Sequence, residues 1–433
     1  MGMEGAARLN ERRVSSEIRV GVKQSQRALV LTPWFPERPG GRYLYILDQI
    51  EALVAEGVDV DVVVLRPWCP PGMRFLLPHR SRDIAPPVCL ARNFGLQVLR
   101  TVVLPRSVLP SARGPLSFAS AVQHLRTQLT KRRYTVIHAH TEAGGYVATR
   151  IGRKRNIPTV ITLHGIDPVE SYLTNRTCHA QLAETLARAS RVVLVGSPLL
   201  GHFESLAVRG ARFEVILNGY SLPVGLKASD RVQRQRRIRL VSVSNLCASK
   251  GVDITLRALA ELARQGEADI EYVIVGDGPE RNSLTVLVRE LALQDRTHFT
   301  GELSHADAMA EVAACEVFCL PSWREACGIV YMEAMALGKI VIGCEAQGPS
   351  QFILHGSTGY LVEPQSVRSL TETLAKVTAA LSGPSGVGHA AAQFAQKNLT
   401  WPVNAKKMIR LFGELSGMQS ESRTREAHDI SVI

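Results

Sequence analysis

Residues 321–336 read PSWREACGIVYMEAMA and carry two acids, Glu325 and Glu333, eight positions apart. Along one unbroken helix that interval is two turns plus about 80°, so the carboxylates would diverge around the axis and could not share a ligand face. The spacing therefore predicts a bend. Glu325-Ala326-Cys327-Gly328 is loop-like, and Ile329 to Leu337 reads as a helix that Gly338 terminates. Glu325 then sits just before the helix N-terminus and Glu333 lies inside it. An anion held on the amides at Gly328 and Ile329 would be flanked by two hydrogen-bond acceptors. Such a site suits a phosphate joined to hydroxyl-rich groups.

Other residues could contribute. In FPERPGGRYLYILDQIEALVAEG, Gly40 and Gly41 precede a helix with apolar residues at Leu44, Leu47, Ile50 and Leu53. Glycines there let backbone amides approach a phosphate, although a plain turn explains them as well. In SNLCASKG (244–251), Lys250 could reach a diphosphate as a mobile point charge, and a merely solvated lysine is the alternative. The turn GDGPER (276–281) would shape the cleft floor. His138 and His140 close VIHAH, and His164 closes VITLHG ahead of Gly165 and Asp167. Hydrogen-bonded histidines are common at strand ends, which are also where α/β folds place ligands; His164, next to a glycine, is the strongest of the three. Asp59-Val60-Asp61 resembles a metal-binding DxD superficially but opens a strand directly after a helix end, so it reads as strand-edge charge and no metal is expected.

These residues need strand ends to hold them. The runs 28–34, 60–65, 136–140, 159–165, 191–197 and 213–219 alternate with helical patterns, giving one parallel α/β unit. After the basic stretch LKASDRVQRQRR (226–237) the alternation restarts at 238–246, 270–278, 297–303, 317–322 and 339–344. The expected organisation is a polar tail over 1–26, a Rossmann-like unit over 27–225, a second over 238–400, a returning helix at about 402–416 and a loose polar tail over 417–433. The ligand belongs in the cleft at the strands' carboxyl ends.

A chain of 433 residues with 45% hydrophobic residues suits two cores. Its eight cysteines show no CxxC pair, so reduced thiols are expected. No apolar run has the length of a signal peptide core or a membrane span, which predicts a cytoplasmic protein. The net charge of +12 is uneven: residues 1–225 hold 29 Lys/Arg against 16 Asp/Glu, leaving 22 against 23 for the rest. Between Asp83 and Glu142 there is no acid, but there are eight basic residues: Arg92, Arg100, Arg106, Arg113, Arg126, Lys131, Arg132 and Arg133. The residues interleaved with them are aliphatic, which favours an anionic membrane surface over nucleic acid, with an ordinary solvated face as the alternative.

Together these pieces resemble the large retaining glycosyltransferase family of GT-B fold that is numbered four, and most of all its bacterial cell-wall and exopolysaccharide members. The resemblance spans roughly residues 28–415 and rests on the pattern P-S-x-x-E-x-x-G-x-x-x-x-E-A-M-A, with the other pieces in order. It implies a GT-B fold: two Rossmann-like domains facing a cleft, and a crossover helix after Trp401. It implies transfer of a hexose-type sugar from a UDP- or GDP-linked donor, with retention and without a metal or other cofactor. Glu325 would face the transferred sugar and Glu333 the ribose, with Lys250 on the diphosphate and Asn245 beside it. Gly40 and Gly41 would form the amino-domain phosphate loop, His164 would lie beside the donor sugar, and Leu303 would offer its backbone to the base. Glu325, His164 and Lys250 are thus the expected catalytic residues. A lipid-linked glycan acceptor and peripheral contact with the inner face of the cell membrane follow as expectations, and no nucleic acid does. The chain departs from the family pattern at Asn245 (often Arg), Ala326 (often Gly), Cys327 (often Phe or Trp), Ser350 and Gln351. The changes at 245, 326 and 327 motivate a second expectation, a catalytically weak donor-binding or scaffold protein.

Overall fold

The computed structural model describes residues 26–36, 43–68, 94–102, 119–128, 132–165, 176–205, 208–226, 237–266, 269–381 and 386–430. The chain is α/β and forms two parallel sheets. The first has seven strands in the order β3-β2-β1-β4-β5-β6-β7: β1 Arg27–Thr32, β2 Asp59–Trp68, β3 Gly95–Val102, β4 Val136–His140, β5 Thr159–Leu163, β6 Arg191–Leu194 and β7 Phe213–Val215. The second has six in the order β10-β9-β8-β11-β12-β13: β8 Ile238–Val243, β9 Ile270–Val275, β10 Thr297–Gly301, β11 Val317–Cys319, β12 Ile340–Cys344 and β13 Tyr360–Val362. β4, β5 and β12 are buried at every residue, as strands covered on both faces must be.

In each sheet the strand order reverses beside the first strand, between β1 and β4 and between β8 and β11. Loops leaving those strands diverge and open a crevice at their carboxyl ends. Helix α1 (Leu44–Ala55) buries Ile46, Leu47, Ile50 and Leu53 against one face of the first sheet, and α3 (Thr141–Arg155) covers the other. A further apolar cluster runs across both halves, with Leu199 and Phe203 at one end and Ala326 and Phe352 at the other. At that junction the Ser197 amide donates to Gln351 Oε1 at 2.8 Å, which gives one of the residues that depart from the family pattern a contact between halves.

The returning helix reaches further than the expected 402–416: it runs Trp401–Ile430, so the stretch after Gly417 is helical rather than loose. Residues 418–430 contain Glu, Arg, Gln and Ala and no glycine or proline, so nothing there breaks the helix. Its buried residues Ala405, Met408, Leu411 and Phe412 join the core of the first sheet. Asn404 accepts from Gln49 Nε2 and donates to the Leu217 carbonyl, both at 2.7 Å, which fixes the return.

Two strands had no counterpart in the sequence pattern, β13 and β3. β3 falls inside the acid-free stretch and pairs with β2 at the sheet edge. Leu99 on β3, and Ala121, Val122 and Leu125 on α2 (Ala119–Gln128), are buried in the core beneath. The aliphatic residues that suggested a lipid-facing surface are, where described, packed inside the protein. The six described cysteines are free thiols.

Candidate functional site

The bend between Glu325 and Glu333 is present. Gly328 caps the helix Ile329–Ala336 in the left-handed region at φ 83°, and a Cβ there would come within 2.6 Å of the Tyr331 ring. Only glycine fits both constraints. Glu325 lies in the loop leaving β11, anchored by its own amide donating to Gln347 Oε1 at 3.1 Å and its carbonyl accepting from the Gly348 amide at 2.8 Å. Glu333 is buried on the second turn of the helix.

The loop leaving β8 carries Lys250. Ser249 accepts at its carbonyl from the Trp323 amide at 3.0 Å and from Ser322 Oγ at 3.1 Å, which ties this loop to the one holding Glu325. Gly251, at φ 67°, lets the chain pass the Pro321 carbonyl, which a Cβ would approach to 2.4 Å. The result is a 2.7 Å ion pair between Lys250 Nζ and Glu325 Oε2, with side chains about one-fifth and one-seventh exposed at 21% and 15%. Asn245 is exposed in the same loop, and Leu303, half-buried, follows β10.

Glu333 has a partner the sequence reading missed. His305, the first residue of the helix His305–Ala313, lies with Nε2 2.7 Å from Glu333 Oε1. Ser304 caps that helix by accepting from the Asp307 amide, which places His305 at its start. The hydrogen bond to Glu333 pulls the imidazole up from its ordinary value, with Asp48 of α1 adding to the effect. Asp48, also unforeseen, is pushed up to about 6, chiefly by burial. A histidine or acid at the carboxyl end of a strand or the first turns of the following helix was the available signal for both.

From the first sheet, β4 ends on His140 and β5 is followed directly by His164; their Nδ1 and Nε2 lie 2.9 Å apart with the rings stacked at 5.1 Å. His138 Nε2 is 2.8 Å from Thr162 Oγ1, and the His138 ring lies 4.6 Å from that of His140. Burial pushes His138 and His164 down to about 3 and His140 well below its usual value, so all three are neutral at physiological pH. Tyr45 of α1 packs on His164 with ring centroids 4.6 Å apart. Gly40 and Gly41 lie outside the described residues. Asp59 and Asp61 are bound by Arg27 and Arg132 respectively, with Tyr134 also donating to Asp61 at 2.9 Å.

The chemistry thus brought together is a lysine–glutamate pair, a buried glutamate held by histidine, and neutral histidines from the other sheet. Residues 39–222 match the family described as Glycosyltransferase Family 4, and residues 228–380 match Glycosyl transferases group 1. The chain belongs to the family-4 glycosyltransferases. It is 26% identical over 413 residues to D-inositol 3-phosphate glycosyltransferase of Corynebacterium diphtheriae, covering 87% of this chain and 90% of that one. Its fold is that of sucrose-phosphate synthase from Thermosynechococcus elongatus, at TM-score 0.69 and 20% identity, covering 91% of this chain and all (100%) of that one. The Anabaena protein HepE, solved with UDP and glucose, superposes at TM-score 0.65 and 20% identity over 90% of this chain and 100% of its own. The GT-B arrangement expected of the family is the one observed.

Proposed function

We propose that this glycosyltransferase moves a hexose-type sugar from a UDP- or GDP-linked donor to an acceptor hydroxyl with retention of configuration and without a bound metal, in the synthesis of a bacterial polysaccharide or cell-surface glycan. The observation that carries this reading is the meeting of Lys250 and Glu325 at the switch point of the second sheet. A diphosphate entering there replaces Glu325 as a partner of Lys250, and the released carboxylate turns to sugar hydroxyls. The bond from the anomeric carbon to the β-phosphate oxygen then breaks, with its electron pair leaving on the phosphate. The acceptor hydroxyl joins the same face of the sugar and gives its proton to that phosphate oxygen. Lys250 opposes the charge that develops on the phosphate, and Glu325 holds the sugar in place. His164 serves as a neutral dipole beside the sugar, since burial keeps it uncharged. HepE was solved with UDP and glucose, which supports a UDP-linked donor.

The same reading includes a lipid-linked acceptor and docking on the anionic inner face of the cell membrane. It rests on charge: Arg133, Arg153, Lys154 and Arg155 are exposed, and Arg155 Nη2 donates to the Arg126 carbonyl at 2.9 Å, which draws the ends of α2 and α3 together. These residues lie at the amino ends of β4 and β5, away from the cleft. Among the described residues no helix is long and apolar enough to cross a membrane.

A thermal-shift panel of UDP-, GDP- and ADP-linked sugars, followed by product analysis with the stabilising donor, tests the proposal. The expected result is stabilisation by one nucleotide series and a product with the donor's anomeric configuration. An inverted product, or no stabilisation by any sugar nucleotide, would overturn it.

A further inference from the structure

Glu333 is nearly closed off, with its side chain 8% exposed, and a carboxylate so enclosed requires a donor. Among the described residues His305 is the one side chain that hydrogen-bonds to it, through Nε2 to Oε1 at 2.7 Å. One carboxylate oxygen is thereby occupied and Oε2 is left for a ligand. The imidazole is held from two directions. Its own helix fixes its backbone through the Ser304 cap, and Asp48 acts on it from α1 on the opposite wall of the cleft. Asp48 is in turn hydrogen-bonded by Ser221, in the segment joining the two halves, and faces Glu51, His305 and Glu333. The Glu333–His305 hydrogen bond thus lies within the electrostatic reach of a second carboxylate, Asp48.

We infer that His305 is the positioning residue for the ribose-binding carboxylate: it fixes one oxygen of Glu333 and presents the other to the ribose hydroxyls of the donor. Nucleotide discrimination at the ribose then depends on His305 as strongly as on Glu333. Without the imidazole, the enclosed carboxylate either takes up a proton or rotates toward water, and in both cases its aim at the ribose is lost. The inference rests on the donor reading above, in which Glu333 meets the ribose.

Calorimetry with UDP, GDP and ADP first identifies the nucleotide bound most tightly, and its 2′,3′-dideoxy counterpart is then titrated. The wild-type protein is expected to prefer the ribonucleotide at least about tenfold, as charge-assisted hydrogen bonds do. Glu333→Gln and His305→Ala should each bring the ratio to within about twofold. His305→Gln keeps a neutral donor of similar reach and should restore most of the preference, which a merely structural contact would not do. If His305→Ala does not fold, His305→Asn, too short to reach Glu333, takes its place. Full discrimination in His305→Ala alongside its loss in Glu333→Gln would overturn the inference. So would failure of His305→Gln to restore it. Discrimination unaffected by Glu333→Gln, or no binding of any of the three nucleotides, would instead overturn the donor reading on which the inference stands.

Discussion

In the carboxyl half of the cleft each candidate carboxylate meets a basic partner, Glu325 with Lys250 and Glu333 with His305, both at 2.7 Å. In the amino half the three histidines meet one another and Thr162, and among the described residues His138 Nδ1, His140 Nε2 and His164 Nδ1 have no hydrogen-bond partner. One wall is charged and partly open; the other is enclosed and neutral. The difference follows from depth. Lys250 and Glu325 stand in loops beyond the strand ends, where water still screens them, whereas His138 and His140 are in β4 itself and cannot carry charge without desolvation. A diphosphate needs the first kind of wall. A neutral sugar, whose hydroxyls require donors and acceptors without strong fields, suits the second.

The largest expected effect comes from breaking the charged wall. Glu325→Gln keeps nearly the same shape and should lower turnover at least about a hundredfold while leaving nucleoside diphosphate affinity within a few-fold. Steady-state rates with the preferred donor would show otherwise if they stayed near wild type.

The neutral wall should reveal itself through pH. His138 and His164 titrate at about 3 in the folded protein against 6.5 for an ordinary histidine, so the unfolded chain binds more protons between those values. Their contribution to stability is complete above pH 6.5 and is lost as pH falls toward 3, at up to about 1.4 kcal/mol per pH unit for each histidine. Melting curves at pH 7 and pH 5 should therefore separate by less in His138→Gln than in wild type. An unchanged separation would mean that His138 is not buried neutral.

Lys250→Ala sharpens the comparison within the charged wall. It should weaken nucleoside diphosphate binding about tenfold and nucleoside binding hardly at all, because its proposed partner is phosphate. Equal losses by calorimetry would assign it elsewhere. The smallest effect belongs to the far end of the amino half. Arg133→Ser should weaken sedimentation with anionic vesicles by no more than about fivefold, the share of one basic residue near a charged surface. Wild-type protein that ignores such vesicles at low salt would leave the basic face merely solvated.

Much of this was legible in the chain. Eight residues between two acids cannot be one helix face, so the bend at Gly328 followed from helical geometry, and His164 and Lys250 were found because they follow apolar strand runs. The edge strand β3 and the three-residue β13 were missed because neither has a periodic apolar pattern long enough to stand out. His305 and Asp48 were missed because neither belongs to a local motif. Apolar aliphatic residues around Arg100 and Arg126 looked like a lipid-facing surface because spacing does not reveal which face of an element is covered.

By itself the sequence determined two alternating α/β units and the positions at which strands end, since both depend on periodicities of a few residues. Only the tertiary structure decided the partners. Lys250 and Glu325 are 75 positions apart, and His140 and His164 are 24 apart. Each pair meets because its two residues follow strands that are neighbours in the sheet, β8 beside β11 and β4 beside β5. Strand order is set by how the helices and the returning segment at Trp401 pack over both faces, a property of the whole core that no local spacing carries.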